Sequence, residues 1–113
     1  MPEEQVSLRD LQREHDDWIS RNFPGEEPYQ PLLGLVEEVG ELARAHLKGE
    51  QGIRRGVDQI QVQMDKVDAV GDIVVYLAGY CSANGINLQE AVTRTWAKVR
   101  QRDWVADPVG GGE

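Results

Sequence analysis

Cysteine is almost missing from this chain. Cys81 stands alone, so neither an intramolecular disulfide nor a CxxC zinc or redox site can form. Histidine is held to His15 and His46, which leaves little imidazole chemistry. No apolar run approaches the roughly 18 residues that a membrane span needs. The longest, Ile73–Gly79, gives way to a polar ring at Tyr80. No internal repeat is visible. Basic side chains are also short: 12 Lys and Arg face 20 Asp and Glu among 113 residues, a formal net charge of −8. Such a balance repels a phosphate backbone and argues against sequence-independent nucleic-acid binding. It leaves room for one small polyphosphate held through cations. The first ten residues are acidic and polar, without the apolar core of a signal segment. The expectation is a single domain in a soluble, reducing, cytoplasmic setting, with neither membrane nor nucleic acid as partner.

What is present is helical periodicity. Residues 1–104 read as one helical domain and 105–113 as a flexible tail, where Asp107-Pro108 and Gly110–Gly112 break any helix. The first helix opens at Ser7 and carries Leu8, Leu11, His15, Trp18 and Ile19 at helical spacing, stopping before Pro24-Gly25. A second runs from about Pro31 to Lys48 and stops at Gly49, with Leu32, Leu35, Val36, Val39, Leu42, Ala43 and Leu47 on one side. The third spans about Gln59 to Ala83, with Val67, Val70, Val74, Leu77 and Cys81 on one face and Asn84-Gly85 as its stop. A fourth starts near Asn87, turns Leu88, Val92, Trp96 and Val99 inward, and fades around Trp104. These predict an all-α fold, a four-helix bundle with short connections.

The acids are not scattered. Glu38 and Glu41 lie three apart on helix two, within about 60° of each other around the axis, opposite the Val36/Val39/Ala43 stripe. Gly34 and Ala45 share their strip, and small residues there let another helix come close. Helix three adds Asp65, Asp68 and Asp72 on one stripe, although Asp disfavours helix interiors because its side chain competes with the backbone. Asp72 opens the most apolar stretch of the chain, so its carboxylate is expected to be half-buried. Two facing carboxylate rows repel unless a cation sits between them. With no His or Cys to hand, the donor set suits Mg²⁺, or Mn²⁺, rather than zinc. The plainer reading is two separate, solvated acidic faces.

These residues resemble the MazG-like all-α nucleoside triphosphate pyrophosphohydrolases, whose signature is EExxE on one helix and ExxD on the next. The first half stands as Leu33-Gly34-Leu35-Val36-Glu37-Glu38-Val39-Gly40-Glu41-Leu42-Ala43, the second as Asp68-Ala69-Val70-Gly71-Asp72-Ile73-Val74-Val75-Tyr76-Leu77. The likeness covers about Leu8 to Trp104, and Asn87-Leu88-Gln89-Glu90-Ala91 with Lys98 looks like the family's following helix. The resemblance implies a fold of the all-α NTP pyrophosphatase type assembled into a homodimer or homotetramer. It also implies Mg²⁺-dependent cleavage of a nucleoside triphosphate between the α and β phosphates. Glu38, Glu41 and Asp72 carry over as metal ligands position by position. The Glu of ExxD falls at Ala69, and Asp68, one residue earlier on the Asp72 face, is the substitute ligand. Glu37 or Glu38 is the candidate general base for the attacking water. For substrate binding, Lys98 follows from the resemblance, while Lys48, Arg54, Arg55 and Arg102 are candidates by position only. Trp18, Tyr76 and Trp104 are available to stack on a base, with a core role as the alternative for Trp18 and Trp96. His15 and His46 are expected on the helix surface or in packing.

Two rivals fall on sequence grounds. A di-iron carboxylate bundle needs Glu-x-x-His pairs, yet Gln12 precedes His15 and Ala43 precedes His46 at that spacing. No Gly-x-x-x-x-Gly-Lys phosphate loop occurs. A third remains: a non-enzymatic helical module using its acidic faces for oligomerisation or for a basic partner.

Overall fold

The structure is a computed structural model that describes residues 3–52, 56 and 58–109. It is all-helical, with α1 Leu8–Asn22, α2 Gln30–Gly52, α3 Gln59–Ala83 and α4 Leu88–Val99, and no strand among the described residues. None of these helices is by itself long and apolar enough to cross a membrane.

Local chemistry sets most of the ends. At α1 the Ser7 hydroxyl accepts from the Asp10 amide at 3.1 Å, satisfying one of the donors a helix start leaves open. At α3 one Asp58 carboxylate oxygen accepts from Ile60 and Gln61 amides at 2.9 and 3.2 Å. The α3 stop is a turn through Gly85, whose φ of +69° suits glycine, with the Ile86 amide donating back to the Cys81 carbonyl at 2.8 Å. At α4 the Asn87 side chain accepts from the Glu90 amide at 3.0 Å. The end of α2 differs from the sequence expectation. Gly49 does not stop the helix, which continues to Gly52. Its role is close approach: a Cβ there would lie 2.8 Å from Val62 Cγ1, so glycine lets α3 come down against α2. Likewise α4 ends at Val99, short of Trp104.

α2 and α3 form an antiparallel pair. Gly49 meets Val62 at one end and Gly34 meets the Tyr76 ring at the other. A Cβ on Gly34 would stand 2.6 Å from Tyr76 Cδ1 and 2.7 Å from Cζ, so the expected close approach at the small residues of this strip is what the structure has. α1 packs along the second half of α3, and α4 packs on α1. The tightest core lies where those three meet: Ala78, Cys81 and Leu88 are buried, with Leu8, Leu11 and Leu77 against them. Gln12 stitches the same junction. Its amide nitrogen donates to the Ile86 carbonyl at 2.7 Å, and its oxygen accepts from the Leu88 amide at 2.8 Å.

The apolar faces correct the sequence reading. Leu77, Cys81 and Leu88 pack inward as expected, but Val36 is 62% exposed and Val67 60%. Leu32, Val39, Leu47, Val70, Val92, Trp96 and Val99 are exposed too. Burial needs a second layer of helices over these faces, and within one chain the long α2–α3 pair has α1 on part of one side only. Bulk dimensions agree. The Cα radius of gyration is 17.8 Å, against about 13 Å for a compact domain of this length. The accessible surface is 9056 Å², where a compact 12.7 kDa monomer exposes about 6,200 Å².

Candidate functional site

The antiparallel register brings the two acidic stripes together. A cleft of about 560 Å³ between α2 and α3 is lined by Glu38, Glu41, Arg44, Ala45 and Lys48 from one helix and Asp65, Asp68, Ala69 and Asp72 from the other. All four expected metal ligands, Glu38, Glu41, Asp68 and Asp72, therefore face one space. Glu38 and Asp72 face each other across the cleft. The Glu38 carboxyl is held above its usual pKa. Loss of water around it is the leading cause, followed by the neighbouring carboxylates of Asp72, Glu41 and Glu37. Asp72 itself is exposed, not half-buried, because the cleft is an open groove whose apolar neighbours turn to other faces of α3.

The donor set is chemically suited to a hard divalent cation, since every acid in the cleft offers carboxylate oxygen, and a cation would relieve the part of the Glu38 shift that comes from neighbouring carboxylates. The four do not stand as a finished coordination sphere. Among the described residues, no three His, Cys, Asp or Glu side chains converge closely enough to hold an ion in place. Glu41 is turned to Arg44, whose Nη1 donates to Glu41 Oε1 at 2.7 Å. Gathering the set asks for rotamer changes in exposed side chains. Ala69, where the motif that the sequence resembles has Glu, is buried and lines the cleft, so position 69 does face the site and presents a methyl group.

Next to the cleft lies a second, more apolar cavity of about 350 Å³. His15, Trp18, Ile19 and Phe23 of the α1 end line it, with Glu26, Pro31, Val75, Tyr76 and, once more, Asp72. Its rings are ordered against each other: Trp18 and Phe23 meet edge-on at 5.7 Å, and His15 and Trp18 are tilted at 5.8 Å. Two are seated on glycines, Tyr76 over Gly34 and His15 over Gly79, where a Cβ would lie 2.8 Å from His15 Cε1. His15 Nδ1 is buried without a hydrogen-bond partner. Trp18 is 51% exposed, which sets aside its core alternative, as exposure of Trp96 does for that residue.

The remaining candidates divide. Lys48 lines the acidic cleft, and Trp18 and Tyr76 line the aromatic cavity. Glu37 lines neither, consistent with its position about 100° round the helix from Glu38. Lys98 and Arg102 also line neither cavity; the Arg102 guanidinium lies 4.0 Å above the Trp104 ring. The lone chain puts α4 against α1, away from the α2–α3 groove, which is why a lysine expected at the site is not there. Arg54 and Arg55 lie outside the described residues. His46 pairs with Glu50 at 3.2 Å on the surface. Sequence reasoning passed over Arg44, Phe23 and the cavity role of His15. Arg44 could have been found from its place three residues after Glu41; the ring cluster depends on how α1 crosses α3, which no local pattern encodes.

Fold and site define an all-helical protein with an acidic groove between two antiparallel helices and an aromatic pocket at one end of it. No family model matches the chain. It is 30% identical over 100 residues to the uncharacterized protein YpjD of Bacillus subtilis (strain 168), a match covering 86% of each chain. The chain belongs to the family of that protein.

Proposed function

We propose that this protein is a MazG-like nucleoside triphosphate pyrophosphohydrolase that uses Mg²⁺, or Mn²⁺, to convert a (d)NTP and water into a (d)NMP and pyrophosphate. The observation that carries the reading is the shared cleft: Glu38, Glu41, Asp68 and Asp72, drawn from two separate motifs, line one groove that shares Asp72 as a wall with a ring-lined pocket. A divalent cation bound there supplies charge neutralisation at the phosphates and a more acidic water. The chain's own part is to hold that charge and to orient the substrate. Glu38, already inclined to keep a proton, is the group best suited to take one from water once cations draw its neighbours' charge away. Glu37 stands outside the cleft and is not assigned that role.

The same proposal includes a homo-oligomer, dimer or tetramer. The exposed stripes on α2 (Val36, Val39, Leu47) and α3 (Val67, Val70) run along a helix pair that needs a second pair to complete a four-helix bundle. Lys98, remote from the cleft within one chain, belongs to the assembly question as well.

The test is a panel of standard and modified (d)NTPs with Mg²⁺ or Mn²⁺, scored for monophosphate plus pyrophosphate. Turnover that falls by 100-fold or so in Glu41→Gln and Asp72→Asn supports the reading. Absence of turnover in every case, with wild type indistinguishable from both variants, overturns it in favour of a helical interaction module.

A further inference from the structure

Resting on that reading, and with the substrate's base stacked on Trp18 or Tyr76, we infer that Glu26 selects the base. It favours bases that carry an exocyclic amino group and disfavours uracil and thymine. What decides this is the polar inventory of the ring-lined cavity, which holds no Lys, Arg, Asn or Gln. Its hydrogen-bonding side chains are His15, Trp18, Glu26, Asp72 and Tyr76.

All of these except Glu26 are neutral in the choice or engaged elsewhere. A Trp18 ring that stacks by its face keeps its N–H in its own plane, away from the base edge. The Tyr76 hydroxyl both donates and accepts. His15, whose Nδ1 is buried without a partner, presents a donor or an acceptor according to its tautomer, so it adapts to the base that arrives. Asp72 also lines the acidic cleft, where the cation takes up its charge. Glu26 lines the cavity and not the cleft, and it has no ion-pair partner among the described residues. An ionised carboxylate only accepts, so this one side chain makes a demand that some bases meet and others do not.

The backbone fixes where Glu26 stands. It follows Gly25, whose φ of +86° turns the chain just after α1, and its amide donates back to the Phe23 carbonyl at 3.3 Å. Beyond it, the Glu27 amide donates to Gln30 Oε1 at 2.6 Å, and Asn84 Nδ2 donates to the Pro28 carbonyl at 3.4 Å. The connection is thus tied to the ends of α1, α2 and α3 on both sides of Glu26. Set against a fixed acceptor, the bases divide by their edges. Cytosine and adenine offer an amino N–H, and guanine offers an amino N–H beside a ring N–H. Uracil and thymine offer one ring N–H between two carbonyl oxygens, which a carboxylate repels. Bonds to an ionised acceptor are the strong ones, so the difference is felt in binding.

The experiment compares dCTP with dUTP, which share size and sugar and exchange an amino group for a carbonyl. Hydrolysis kcat/KM in millimolar Mg²⁺ is measured for the full chain as wild type, Glu26→Gln and Glu26→Ala, with thermal melts to verify folding. Calorimetric binding of dCMP and dUMP to the same three proteins runs alongside. Wild type is expected to favour the cytosine compound by about 10-fold or more, the usual worth of a base-edge contact. Glu26→Gln, whose amide donates as well as accepts, should bring the two within about threefold, largely by improving the uracil compound. Glu26→Ala should reach the same ratio by weakening the cytosine compound. A preference that survives both variants, or no preference in wild type, overturns the role of Glu26 while measured triphosphate turnover, and so the proposed activity, stays in place. A dCMP preference lost in Glu26→Gln, without turnover of any triphosphate, upholds base selection and overturns the activity. Wild type that binds neither monophosphate and turns over no triphosphate overturns both.

Discussion

Glu38 is the residue at which solvent and charge act in one direction. A carboxyl whose folded pKa is raised binds its proton more readily in the native state than in the unfolded one. Its contribution therefore favours the fold below the ordinary Glu range and is lost as pH rises through the raised value. Metal-free protein should melt at lower temperature as pH climbs through that window, and Glu38→Gln should flatten this part of the profile. If the cleft takes Mg²⁺ as proposed, the cation has to displace the same proton, so its affinity should strengthen with pH over the same interval and then level off, as read by calorimetry. The glycine seats make a separate claim. Alanine is normally the better helix former by up to about 1 kcal/mol, but at Gly34 and Gly79 the new methyl meets the Tyr76 and His15 rings. Overpacking should win, with each Gly→Ala change costing about 1–3 kcal/mol in chemical denaturation, more at Gly34 where the Tyr76 ring lies closest. Ala69→Glu probes the departure from the MazG-like motif that the sequence resembles. A carboxylate at this buried position should lower metal-free stability and restore it in Mg²⁺; a large gain in rate would show that Asp68 has not replaced the missing acid.

At the scale of elements, the helices were readable wherever a side chain caps them and less so where none does. Asp58 and Asn84-Gly85 bracket α3, and the expected Gln59–Ala83 range is the observed one. Ser7 marks α1 equally well. Gly49 misled because glycine has two uses, ending a helix or admitting a neighbour, and only the α2–α3 contact reveals which applies. The acidic cleft was legible for a related reason. Three- and four-residue spacings fix which acids share a stripe, and an antiparallel pair joined by a short connection then aligns the stripes. The aromatic pocket was only half legible: Trp18 and Tyr76 were candidates, but their meeting with His15 and Phe23 depends on the α1 crossing. Gln12 anchors that crossing with two hydrogen bonds. Gln12→Ala should cost about 1–3 kcal/mol on the usual value per bond, and should loosen α4 first. Hydrogen exchange would show it as faster exchange across Leu88–Val99 than in α2.

For the molecule as a whole, surface decides. Roughly 2,900 Å² separates the exposed area from that of a compact chain of the same mass, well above the 1,200–2,000 Å² total of an ordinary stable interface. Val36→Lys together with Val67→Glu should therefore shift sedimentation from a multiple of 12.7 kDa toward the single-chain mass, with little change in helix content. The periodicity did identify these apolar stripes. What it could not encode is whether a stripe is covered by the same chain, because a 3.6-residue period reports that a face is apolar and nothing about its partner. Asp72 extends this to ligands. As a common wall of groove and pocket, it lets occupancy of either alter the other, and such coupling is reciprocal: whatever factor a bound cation imposes on affinity for a ring compound, the ring compound must impose on the cation.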